Sequence, residues 1–66
     1  MGETKYFIVE PAYFKIRLLV EAKSPYGARN KAKQWFLANK GILIMDHELE
    51  AQQINNPDRV QNVIRI

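Results

Sequence analysis

The chain has 66 residues, 47% hydrophobic and 26% charged, with no cysteine, a single histidine and a formal net charge of +3. That length allows one domain, residues 1–66, and so ordinary a composition excludes wholesale disorder. The missing cysteines exclude disulfide staples, cysteine-held zinc and iron–sulfur clusters, His47 alone makes no histidine metal centre, and no run nears the roughly 20 apolar residues that cross a membrane.

The start, Met1-Gly2-Glu3-Thr4-Lys5-Tyr6, is too polar for a signal peptide. Tyr6 stands where N-myristoylation wants Ser or Thr. The expected location is cytoplasmic. Residues 4–10 read as a strand, because Tyr6, Phe7, Ile8 and Val9 are aromatic or β-branched. Pro11-Ala12 reads as a short connection to a second, antiparallel strand. Over residues 13–22 apolar and polar positions alternate strictly. Phe14, Ile16, Leu18, Val20 and Ala22 share one side, and Tyr13, Lys15, Arg17, Leu19 and Glu21 share the other.

Ser24-Pro25 opens a helix: the serine hydroxyl can cap, and proline fits the first turn. The helix is expected to reach Asn39 or Lys40, with Gly41 as the left-handed residue after its end. Ala28, Ala32, Trp35 and Phe36 form its apolar stripe, Arg29, Lys33 and Lys40 a second stripe beside it, and Leu37 points away from the core. Ile42-Leu43-Ile44-Met45 reads as a buried third strand. Residues 46–55 stay open between a helical turn capped by Asp46 and a strand over Glu48 to Ile54. Asn55-Asn56-Pro57-Asp58 is a turn, and 59–66 a last strand. The fold class is therefore α+β: an antiparallel sheet of three to four strands with one helix on one face, in the order ββαβ(β).

Chemistry of the usual kinds is not expected. Ser24 is the sole serine and is explained as a cap. Gly2, Gly27 and Gly41 are isolated, so no phosphate loop forms. Glu48 and Glu50 lack an apolar pocket that would tune a carboxyl group. The chain thus reads as no enzyme, with no catalytic, metal or cofactor residues. Binding is the alternative. Residues 23–40 carry Lys23, Arg29, Lys31, Lys33 and Lys40 and no acid, while Asp46, Glu48 and Glu50 follow closely. One helix covers one sheet face, so the face of Tyr13, Lys15, Arg17 and Leu19 is expected to be open. Two surfaces are candidates: Arg29, Lys33, Leu37 and Lys40 on the helix, and Tyr13, Lys15, Arg17 and Leu19 on the sheet. They suit an acidic protein surface, with arginine and aromatics as anchors. They also suit nucleic acid, by phosphate contact and base stacking. A third reading is a structural subunit forming a homodimer through the open sheet face or an edge strand.

The stretch Ile16 to Phe36 carries a resemblance. Its junction Val20-Glu21-Ala22-Lys23-Ser24-Pro25 is followed by Ala28 and Ala32. It resembles small proteins of phages and mobile elements, in which a strand ending Ala-x-Ser or Ala-x-Thr enters a helix with alanines four apart. The DpnD/PcfM-like proteins and the small phage-encoded inhibitors of bacterial RNA polymerase look like this. The archaeal ribosomal protein of the LX type is similar over the same junction. The resemblance implies helix-on-hairpin packing and a phage or mobile-element origin. Joined to the surface reading, it makes the leading expectation a non-enzymatic protein that modulates or inhibits a host protein by docking.

Overall fold

Runs of aromatic, β-branched and other apolar residues in the first third of the chain build two strands, β1 (Lys5–Pro11) and β2 (Leu18–Ala22). The structure is a computed structural model and describes residues 4–66. The leader and myristoylation readings rest partly on residues 1–3, which lie outside the described residues. The remaining elements are α1 (Pro25–Lys40), β3 (Leu49–Ile54) and β4 (Ile64–Arg65), with 3₁₀ turns at Asp46–Glu48 and Pro57–Arg59. The sheet order is β3-β1-β2-β4. β1 is antiparallel to both β2 and β3, and β4 lies parallel to β2. This is the expected α+β class, with a four-stranded, mostly antiparallel sheet under one helix.

The helix forms where local chemistry places it. The Gly27 N–H donates to the Ser24 hydroxyl at 3.1 Å, and Pro25 stands in the first turn. Gly41 adopts φ 65°, which costs an L-residue more than glycine. Its N–H donates to the Leu37 carbonyl at 3.1 Å, closing the last turn. Ala28, Ala32 and Phe36 are fully buried against Phe7, Val9, Leu18 and Val20. The two alanines let helix and sheet approach closely, and Phe36 fills the far end, where Trp35 meets it edge-on at 5.2 Å. α1 carries the chain across β1 from β2 to β3, so β2 and β3 flank β1 in the same direction.

Four sequence expectations change. The second strand spans Leu18–Ala22 rather than 13–22, because pairing with β1 ends at Val9↔Leu18. Residues 12–17 form the connection, not Pro11-Ala12 alone. Proline is tolerated at the end of β1 for a related reason. The Ala12 N–H donates to the Glu48 carbonyl at 2.9 Å, so by alternation the backbone nitrogen of Pro11 faces the side where β2 has already ended.

Ile42–Met45 is not a strand. Ile44 is buried and Ile42 half-buried while Leu43 and Met45 are exposed, so the segment alternates as a strand does but has no ladder partner. The place beside β1 is taken by Leu49–Ile54. The last strand shrinks from 59–66 to Ile64–Arg65, held by Ile64 N–H to Arg17 O at 2.8 Å and Ile66 N–H to Leu19 O at 3.1 Å. Both options for 46–55 are realised in turn, a 3₁₀ turn from Asp46 and then β3.

Candidate functional site

The second sheet face is less open than its pattern implies. Ile8 and Leu19 lie opposite each other in the ladder and are only 7% and 4% exposed. Arg17, Glu10, Glu50 and Gln52 ring this pair on one side, and Tyr6, Glu21 and Arg65 on the other. Long polar side chains lay their stems over apolar neighbours while keeping their heads in water. The expectation that Leu19 is an exposed contact is therefore corrected: it belongs to a small second core. Tyr13 and Lys15 are corrected as well, since they sit in the 12–17 connection and not on a strand. Arg17 closes that connection beside β2. The face proper sets Arg17 and Arg65 against Glu10, Glu21 and Glu50, and its aromatic member is the half-buried Tyr6. It carries no cationic excess of the kind that grips phosphates.

The helix stripe holds together better. Arg29, Lys33, Leu37 and Lys40 are spaced four, four and three apart, which aligns them along one flank. Leu37 is 55% exposed. Lys33, a candidate contact of this stripe, is paired within the chain: its Nζ lies 3.0 Å from Asp46 Oδ1. That pair fixes the flank as the one beside the 3₁₀ turn that leads into β3. On the opposite flank the Lys31 ammonium donates to the Glu21 carbonyl, and Trp35, Ala38 and Ile66 line a shallow groove.

Reading the sequence for stripes put Tyr13 and Leu37 on separate surfaces and missed Phe14, Leu43 and Met45, which are exposed as well. Phe14 stacks on Phe36, with ring centroids 6.4 Å apart and planes at 25°. This brings the 12–17 connection onto the last turns of α1. The segment after Gly41 passes the same end and leaves Leu43 72% exposed and Met45 half exposed. The segments that carry Tyr13, Phe14, Leu37, Leu43 and Met45 thus meet at one end of the molecule. These residues account for five of the eight exposed large hydrophobic residues described. Lys15, Lys33 and Lys40 stand among or beside them. Residues 42–45 are all apolar, so the sequence held no marker that Ile42 and Ile44 turn inward and leave Leu43 and Met45 exposed.

His47 is exposed in the 3₁₀ turn, and its acidic neighbours are engaged elsewhere, Asp46 with Lys33 and Glu48 accepting the Met45 N–H at 3.1 Å. Among the described residues no three acidic or histidine side chains gather as metal ligands do. No described helix is long and apolar enough to cross a membrane. The chain matches no protein-family model, no curated protein and no solved structure, so the reading of its surface rests on its own residues.

Proposed function

We propose that this chain is a non-enzymatic docking module that binds an acidic, partly apolar surface of another protein through the end formed by Tyr13, Phe14, Leu37, Leu43 and Met45. One observation carries this reading: five of the eight exposed large apolar side chains among the described residues lie on segments that meet at one end of a small domain. Exposed apolar residues scattered singly need no explanation, whereas a gathered set marks an interaction site. Lys15 and Lys40, with Arg29 further along the helix flank, supply a positive rim that favours an acidic partner and speeds encounter with it. The resemblance of Ile16–Phe36 to small phage proteins supports the same class, a regulator that acts on a host protein by contact.

The test is an affinity pull-down from nuclease-treated bacterial lysate, with wild type and Leu37→Asp side by side. One stoichiometric protein, retained by wild type and lost with Leu37→Asp, is the expected result. Recovery of nothing, or of nucleic-acid proteins that vanish with nuclease, contradicts the proposal and favours a nucleic-acid module.

A further inference from the structure

We propose that two copies of this chain pair antiparallel through β3 about a two-fold axis at Ala51, joining their sheets edge to edge. β3 is an outer strand along its whole length. Glu48, Glu50, Gln52 and Ile54 turn their backbone groups toward β1, as the Ala12 N–H bond to Glu48 shows at one end of the ladder. By alternation Leu49, Ala51 and Gln53 turn theirs outward. The Leu49 N–H is taken by the Asp46 carbonyl. The Ala51 and Gln53 N–H groups and the Leu49, Ala51 and Gln53 carbonyls have no bond within the described residues. A two-fold axis at Ala51 joins them in four bonds, Ala51 to Ala51 in both directions and each Gln53 N–H to the other copy's Leu49 carbonyl.

The side chains select a second copy and this register. Within one chain Glu50 directly faces Glu10, a like-charge pair that weakens a ladder. In the Ala51-centred register Glu50 faces Gln52 of the second copy, whose amide can donate to the carboxylate. Centring on Gln52 instead sets Glu50 against Ile54, and centring on Glu50 sets the two Glu50 side chains together. Of the cations on the helix flank beside this edge, Lys33 carries Asp46 as its own counter-ion. β3 also lacks two of the devices that guard an open edge: residues 49–54 contain no lysine and no proline. The other edge, β4, is two residues long and follows Asn62 in the left-handed region, so it offers almost no template.

The test is sedimentation equilibrium of the full chain alone, from about 1 µM to about 500 µM, a range that spans weak dimer affinities. A reversible dimer is expected. Ala51→Pro removes a central N–H that the monomer does not use, and is expected to give a folded monomer with unchanged circular dichroism. Gln52→Glu sets like charges opposite each other twice and is expected to weaken the dimer about tenfold at low salt, whereas Gln52→Lys keeps or tightens it. If Ala51→Pro fails to fold, the opposed Gln52 variants decide. A monomer at every concentration, a dimer that survives Ala51→Pro, or equal effects of Glu and Lys at position 52 would overturn the proposal.

Discussion

Leu19 and Leu37 are both leucines in amphipathic segments, yet they play opposite parts. Leu19 is buried with Ile8 beneath charged side chains, and Leu37 stands in water. An acid at position 19 would lose the apolar burial against Ile8 and desolvate a charge, so Leu19→Asp is expected to cost about 3 kcal/mol or to unfold the chain. Leu37→Asp is expected to change stability by about 0.5 kcal/mol or less, as exposed substitutions do. Urea denaturation of the two variants checks both, and a stable Leu19→Asp would contradict the second core. Leu37 was legible because helical periodicity at Pro25–Lys40 is regular and its core stripe is clear. Leu19 was not, because alternation within one strand tells which residues share a face and is silent on what neighbouring strands place beside them. Burial of Leu19 depends on Ile8, Tyr6 and Arg65, which come from β1 and β4. At the two helix ends the local chemistry is sufficient by itself. Ser24→Ala removes the hydroxyl that accepts the Gly27 N–H and is expected to lower stability by about 1 kcal/mol. Gly41→Ala, at φ 65°, is expected to cost about 1–2 kcal/mol, although open space surrounds the added methyl group.

At the scale of elements, helix boundaries were readable and strand boundaries were not. Ser24, Pro25 and Gly41 act within one turn of the residues they cap. A strand ends where its partner ends, and the partner is distant in sequence. The alternating run 13–22 therefore overshot: its first half keeps the pattern but lies beyond the reach of β1. Ile42–Met45 shows the converse, an alternating segment whose pattern comes from lying half in the core with no ladder at all. β3, with Leu49, Ala51 and a polar remainder, has too weak a pattern to be chosen over it. These differences carry consequences for exchange. β1 is paired on both sides and packs under Phe36, while β4 is a two-residue strand paired on one side only, at the sheet edge. Amides of Phe7, Ile8 and Val9 are expected to exchange only on global unfolding, and those of Ile64 and Ile66 to exchange through local opening orders of magnitude faster. Equal protection at both places would show that β4 is an integral part of the cooperative unit.

For the whole molecule, charge and apolar surface are sorted by the fold and not simply by sequence position. The acid-free stretch 23–40 and the acidic stretch 46–50 look like separate poles in the sequence. The chain reversal at Gly41 sets them side by side, and Lys33 meets Asp46. What remains outward is an apolar end with lysines at its margin, assembled from the 12–17 connection, the last helical turn and residues 42–45. No single segment displays it, which is why only Leu37 of its apolar members stood out as exposed on helical spacing. A surface of this kind binds chiefly by burying apolar area, and its charges act mainly on the encounter rate. The most direct test of that claim is the affinity for the captured partner at about 0.1 M and about 0.5 M salt, where charge screening differs strongly. The docking account predicts a loss of less than about tenfold, with a slower association rate and a nearly constant dissociation rate. A loss of about a hundredfold or more, with Leu37→Asp and Leu43→Asp binding as well as wild type, would contradict it and assign the contact to the basic residues alone.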